Sequence, residues 1–282
     1  MANSLNTELY EKTKKWFTHH QGALVALSGG VDSCLAAFLS RHFLGKEKTM
    51  AVIGDSPALK RRDLQQAIDF CTVHDINYQI IKPGEINDPR YNSNPEDRCF
   101  WCKNSLYTAM KSLKEDQFPD YTIINGSNKS DLGDYRPGLK AADQYRVLSP
   151  LADCGFEKED IRAMAKHFNL KEWSKPASPC LSSRFPYGES ISIKKLKMVE
   201  NAEALINQHG FSDVRARYRT GEVSIEVPAN EITRLKEILP KLTPSLQKIG
   251  FSDALADEEG LVSGKLNRVL FKDQNNSEER TQ

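Results

Sequence analysis

Six consecutive residues, Ser28-Gly29-Gly30-Val31-Asp32-Ser33, bring together two hydroxyls, a carboxylate and two adjacent glycines. Neither glycine carries a Cβ, so backbone N–H groups can turn inward together and meet a ligand at close range. An anion suits such a concavity, more so where a helix begins, because the first-turn N–H groups have no partner inside the helix. The chemistry expected is phosphate binding. The stretch has neither the Lys-Ser/Thr ending of a Walker loop nor the GxGxxG spacing of a dinucleotide fold. A serine- and glycine-rich turn with a helix cap is the plainer alternative.

A second candidate is Cys99-Phe100-Trp101-Cys102. Near alternating strands and helices, this CxxC reads either as a redox pair or as two ligands of a metal site. A tetrahedral zinc site wants two further soft ligands, and none follows at the usual spacing. Cys180 is the best remaining partner, in an irregular Pro/Ser stretch beside Arg184. Three thiolates would leave the fourth iron of a [4Fe–4S] cluster open. Spacing alone leaves cluster, zinc and unligated thiols all standing. Cys34 and Cys71 fall in helical runs and read as small buried hydrophobes. Cys154 precedes a helix with no cysteine or histidine nearby, and none of the six histidines forms an HxxxH or HExxH pair.

Positioning these groups requires a strand before the glycines and a helix after them. The apolar run over 22–27 and the apolar-periodic run over 34–44 supply that order. Further strands are expected near 49–54, 78–82, 121–125 and 146–149, with helices over 59–73 and 95–115 and a leading amphipathic helix from Leu5 to His20. Alternation of this kind predicts an α/β fold, a doubly wound parallel sheet with helices on both faces. Ligands in such sheets bind beyond the carboxyl ends of the strands, where Ser28–Ser33 falls. Asn125-Gly126-Ser127-Asn128 ends another strand and reads either as the opposite lip of that crevice or as an ordinary turn.

A helix over Phe156–Leu170 carries acids early and bases late. Composition then changes to Ser174–Gly188, rich in proline and serine without helical period, which reads as a site loop more than a tether. Beyond it a helix (192–208), strands (211–218 and 222–227) turning at Gly221, a helix (229–238), another short helix and a strand near 250–255 make a smaller α+β domain. The expected organisation is a nucleotide-binding domain over 1–172, a site loop or linker over 173–190, a substrate or oligomerisation domain over 191–272, and a disordered tail over 273–282.

The 282 residues are 39% hydrophobic and 27% charged, as suits a soluble globular protein. No apolar run approaches the roughly 20 residues of a membrane span, and the N-terminus lacks a secretory core. Six irregularly spaced cysteines do not resemble a secreted disulfide framework, so a cytoplasmic location is expected. A net charge of +1 argues against a polyanion binder overall.

SGGVDS at 28–33 matches the SGGxDS loop of the pyrophosphate-loop enzymes, which split ATP into AMP and pyrophosphate. Together with GSNKSDLGDYRPGLKA at 126–141, KPASPCLSSRFPYG at 175–188 and VRARY at 214–218, the chain resembles the LarE-type ATP-dependent sulfur transferases of that superfamily. The first block marks only the superfamily; the long irregular second and third blocks are far more specific. The resemblance implies that Ser28, Gly29, Gly30, Ser33 and Gly126 bind ATP, with Asp32 near Mg2+. It implies adenylation of a carboxylate on a small nucleotide-like substrate, pyridinium-3,5-biscarboxylic acid mononucleotide, and displacement of AMP by sulfur on the route to the nickel-pincer cofactor. Cys99, Cys102 and Cys180 match the three-cysteine members, which hold a [4Fe–4S] cluster whose open iron carries an extra sulfide, Cys180 being catalytic as well. Arg136, Arg184, Arg215 and Arg217 match family positions suited to bidentate recognition of phosphate or carboxylate. Asp131 and Asp134 either meet magnesium or order their loop; Asp134 has the stronger motif match and is counted among the substrate-binding residues. A sulfide or persulfide donor and a homo-oligomer are implied; a membrane partner is not.

Two other reactions share the loop. A tRNA thiolase would need an RNA-binding surface, and neither a strongly basic domain nor an RNA-binding module is evident. An amide-forming NAD or GMP synthetase leaves Cys99, Cys102 and Cys180 without a purpose.

Overall fold

The computed structural model describes residues 6–133, 137–176, 178–262 and 264–269. In chain order it runs α1 (Thr7–Thr18), β1 (Ala23–Ala26), α2 (Val31–Leu44), β2 (Thr49–Gly54), α3 (Arg61–Val73) and β3 (Asn77–Ile81). It continues through α4 (Pro89–Asn92), α5 (Arg98–Gln117), β4 (Thr122–Ile124), α6 (Pro137–Gln144), α7 (Pro150–Asp153) and α8 (Lys158–His167). The last elements are α9 (Ile193–Gln208), β5 (Arg215–Arg219), β6 (Glu222–Glu226), α10 (Ile232–Ile249) and β7 (Ala254–Ala256). Two compact units result. One comprises Met1–Asp88 and Asp97–Ser178, the other Pro89–Glu96 and Pro179–Gln282.

The first unit is built on a parallel sheet of order β3-β2-β1-β4. β1 is buried on both faces, so it reads as an unbroken apolar run. Val25 packs with Cys34, Leu35, Phe70 and Met164 from α2, α3 and α8. Leu24 and Ala26 face the opposite layer, where Tyr107, Met110 and Ala141 come from α5 and α6. Helices therefore cover both faces, the doubly wound arrangement the alternation predicted. The strand expected over 146–149 shrinks to one bridge, between Leu148 and Ile124. Its neighbours are otherwise engaged: Arg146 sits at φ +53, the Val147 N–H caps Ala142, and Pro150 opens α7.

In the second unit β5 and β6 form an antiparallel hairpin and β7 joins β6 in parallel. Thr220 and Gly221 both have positive φ, +47° and +97°, which is the two-residue turn whose twist matches the flanking strands. Where a helix over 229–238 and a second short one were expected, α10 runs unbroken through Pro240 and Pro244. Each internal proline costs about 3 kcal/mol in a helix. Leu235, Leu239, Leu242 and Leu246 lie buried on one face at helical spacing, while both prolines sit on the exposed face. Burial of four leucines, about 1.5–3 kcal/mol each, is enough to hold the two halves as one helix.

Candidate active site

The glycine loop leaves β1 and enters α2 as the sequence predicts. Gly29 adopts φ +77, and an added Cβ there would come within 3.3 Å of the Asp63 carbonyl oxygen. The loop is closed on itself through Ser33: its Oγ accepts from the Ser28 N–H at 3.2 Å, lies 3.1 Å from Ser28 Oγ, and donates to the Gly30 carbonyl at 3.0 Å. Ser28 and Gly30 face solvent, and the first-turn N–H groups of α2 stand beside them. Asp32 belongs to that same turn. Its Oδ2 accepts from Lys158 Nζ at 2.5 Å, whereas its Oδ1 is buried with no hydrogen-bond partner among the described residues. A buried carboxylate oxygen left over in this way fits a divalent cation, and Asp32 is the residue that would hold a Mg2+ ion.

Gly126, at the end of β4, is pressed onto the start of α2. A Cβ on it would lie 2.5 Å from the Ser33 nitrogen and 2.7 Å from both the Asp32 carbonyl carbon and Ser33 Cα. Only glycine allows this approach, which brings the chain after β4 against the first turn of α2. Asn125 stiffens that stretch: its Oδ1 accepts from the Ser127 N–H (2.9 Å) and from Ser149 Oγ (2.8 Å). Asp131 Oδ2 accepts from the Asn128 N–H at 3.1 Å, so this carboxylate orders its loop. Asp134 and Arg136 lie outside the described residues.

Four residues of this site, Asp63, Lys158, Lys175 and Ser178, were not singled out from the sequence. Lys175 Nζ donates to the Gly29 carbonyl at 3.0 Å and to Asp63 Oδ1 at 3.3 Å, and Ser178 Oγ donates to Asp63 Oδ2 at 2.7 Å. Asp63, buried in the first turn of α3, thereby pins the beginning of the KPASPC block against the loop. Lys175 was legible as part of that block. Asp63 and Lys158 carried no local signal, since each meets its partner across more than a hundred residues.

Cys99 and Cys102 occupy the first turns of α5, Cys99 exposed and Cys102 half-buried. Residues three apart share a helix face, and the N-terminus favours negative charge there. Gly138 of α6 lets its backbone approach the same turn, with a Cβ position 3.2 Å from Lys103 Cγ and 3.7 Å from the Cys99 carbonyl oxygen. Cys180 is exposed in the second unit, at the start of a short 3-10 turn over Leu181–Arg184. The remaining cysteines are buried. Burial pushes the Cys34 thiol well up, the Cys71 thiol to about 12, and the Cys154 thiol upward as well, so none is poised as a nucleophile. Soft, accessible thiols one helical turn apart fit two ligands of an iron–sulfur or zinc centre. Among the described residues, no group of three or more His, Cys, Asp or Glu side chains is assembled to hold a metal ion.

The stretch around Cys180 is anchored firmly. Leu181, Ser182 and Phe185 are fully buried, and Tyr91 Oη lies 2.5 Å from Ser182 Oγ. Arg184 is 1% exposed; its Nε donates to Glu203 Oε1 at 2.6 Å and its Nη1 to the carbonyls of Pro179 (3.1 Å) and Cys180 (3.4 Å). The guanidinium thus holds the backbone at Cys180. Arg215 and Arg217 share one face of β5, as strand alternation requires. Arg217 pairs with Glu226 at 3.0 Å and donates to the Ser183 carbonyl at 2.6 Å. Arg215 has no ion pair among the described residues, and burial, with the neighbouring Arg217 and Arg184 charges, pulls its pKa down. Arginine stays protonated through such a shift, so an unneutralised cation remains for an anionic ligand. A cavity of about 400 Å³ lies beside this face, lined by Arg184, Arg217, Arg219 and Lys265 with Glu226 among them.

The NAD synthase family model matches residues 2–96, which contain the loop. An uncharacterised protein of Synechocystis is 38% identical over 93% of this chain and 98% of its own. The pyridinium-3,5-bisthiocarboxylic acid mononucleotide synthase of Lactiplantibacillus plantarum is 30% identical over 90% of this chain and 92% of its own. The NH(3)-dependent NAD(+) synthetase of Campylobacter jejuni is 28% identical over 58% of this chain and 65% of its own. With a relative of this kind matched over nearly its full length, the chain belongs to the LarE-type family of pyrophosphate-loop ATPases.

Proposed function

We propose that this enzyme activates a carboxylate of a small nucleotide-like substrate, pyridinium-3,5-biscarboxylic acid mononucleotide, and replaces one of its oxygens by sulfur. A carboxylate oxygen attacks the α-phosphorus of ATP and pyrophosphate departs, leaving an acyl adenylate. Sulfur then attacks the acyl carbon and AMP leaves, giving a thiocarboxylate. Loop N–H groups, Ser28 and Ser33 hold the departing pyrophosphate, and Asp32 is the residue that would hold Mg2+, which when bound would balance that charge. Gly126 keeps the opposite wall close, Lys175 and Asp63 keep the loop in shape, and Arg215 and Arg217 receive the anionic groups of substrate or adenylate. Cys99, Cys102 and Cys180 are the thiols that would hold a [4Fe–4S] cluster, which when bound would supply a renewable sulfur carrier.

The observation that carries this reading is the sorting of the six cysteines. The trio at 99, 102 and 180 reaches solvent, and the trio at 34, 71 and 154 is sealed in the core. Amide formation gives no role to exposed thiols.

Anaerobic reconstitution followed by iron, sulfide and zinc analysis tests the cluster; zinc without iron removes it. Mass spectrometry of protein and substrate after turnover with ATP, Mg2+, a sulfide or persulfide donor and the pyridinium mononucleotide tests the reaction. A thiocarboxylate product with all cysteines intact is expected. Loss of one protein sulfur would replace the renewable carrier by sacrifice, and pyrophosphate release dependent on tRNA or ammonia would overturn the substrate class.

A further inference from the structure

Lys158 is the first residue of α8, where the helix dipole disfavours a cation. Glu157 and Asp160 fulfil the capping of that helix end, so the lysine contributes nothing to it. Its ammonium instead reaches across to the first turn of α2 and donates to Asp32 Oδ2 at 2.5 Å. The side chain is 43% exposed, so it has room to swing, and the other Asp32 oxygen is buried without a partner among the described residues. A locally unfavourable charge aimed at one carboxylate oxygen, beside a second oxygen with nothing to bind, marks a site built for two positive charges in succession.

We propose that Lys158 is a placeholder cation for the metal position. With no nucleotide bound, it neutralises Asp32 and keeps free divalent ions off the loop. When the metal arrives with the polyphosphate, the ammonium moves from Asp32 onto a phosphate oxygen and counters the charge of the departing pyrophosphate. This proposal rests on the ATP-cleaving role of the loop and is independent of the sulfur chemistry.

The test measures Mn2+ binding by electron paramagnetic resonance, without and with pyrophosphate, for the full chain and for Lys158→Gln, Lys158→Arg and Asp32→Asn. Lys158→Gln is expected to bind Mn2+ about tenfold more tightly without pyrophosphate and to hold Mn2+–pyrophosphate about tenfold more weakly. Lys158→Arg, which keeps the charge, is expected to restore the metal exclusion. Asp32→Asn is expected to bind no Mn2+ at this position in either state. Unchanged Mn2+ affinity in Lys158→Gln overturns the placeholder role, even if pyrophosphate binding to the unaltered chain is intact. Failure of the unaltered chain to bind Mn2+–pyrophosphate at all would instead overturn the underlying reading of the loop.

Discussion

Replacing Gly126 by alanine should disable the nucleotide site from the far side of the crevice. The backbone of Gly126 is not in the left-handed region, so the substitution introduces no conformational strain of its own. The conflict is with main-chain atoms that cannot rotate away: a Cβ would sit 2.5 Å from the Ser33 nitrogen. Ordinary contact begins at 3.4 Å, so the β4 end and the first turn of α2 must part by about 0.9 Å. Overpacking of this kind costs about 1–3 kcal/mol, and a midpoint loss of about 2–4 °C per kcal/mol is expected by differential scanning calorimetry. Function should suffer more than stability, because displacement by about 1 Å in a phosphate-positioning element can cost on the order of a hundredfold in rate. Gly155→Ala is the control: its φ of +90° makes alanine unfavourable by about 1–2 kcal/mol, yet no atom lies within 4 Å of the added carbon. Both variants should melt lower, and only Gly126→Ala should lose ATP-dependent pyrophosphate release. If Gly126→Ala releases pyrophosphate within about threefold of the unaltered chain, the close approach is not what shapes the site.

Cys180→Ala should abolish sulfur transfer while leaving pyrophosphate release measurable, as read by parallel phosphate and thiocarboxylate assays; full sulfur transfer would remove Cys180 from the reaction. Arg184→Met breaks a buried pair with Glu203 and should cost about 3–5 kcal/mol in urea denaturation, a loss that Arg184→Met/Glu203→Met recovers in part. Alkaline stability should respond to the buried thiols. With the folded Cys71 thiol at about 12, the unfolded chain releases its proton first as pH rises. Stability from this group is therefore full below about pH 9 and declines toward pH 12, by up to about 1.4 kcal/mol per unit. Cys71→Ala should flatten that decline in denaturation midpoints measured from pH 8 to 11.

Much of the fold was legible because period and punctuation agreed. The apolar run before Gly29, the helical spacing after it and the turn at Gly221 each lie where local rules put them. Pro240 and Pro244 misled because proline is a strong local breaker, while the buried leucines that override it act through tertiary packing. Leu148 pairs alone because its neighbours' bonds belong to a helix end. In the site, Ser28–Ser33 and Gly126 could be read from residue type. Lys158 could not, since an ion pair with Asp32 joins residues 126 positions apart and leaves no periodic trace. The inward turn of Arg184 was equally hidden, because a fully buried guanidinium is the exception for that residue type.

The short segment Pro89–Glu96 belongs to the second unit although the first unit surrounds it in the chain. Tyr91 and Asn94 are buried there, and Asn94 donates to the Pro186 carbonyl while its own carbonyl accepts from Gly188. During synthesis these eight residues therefore leave the ribosome long before the partners at 182–191 exist. The first unit can close as soon as Ser178 is available, with the mostly polar segment Pro89–Glu96 still waiting for its partners in the second unit. That interval is when the nascent chain is most open to aggregation or chaperone capture. The arrangement also makes the second unit impossible to obtain by cutting after residue 178, since it would arrive without the piece that seats its cysteine-bearing turn.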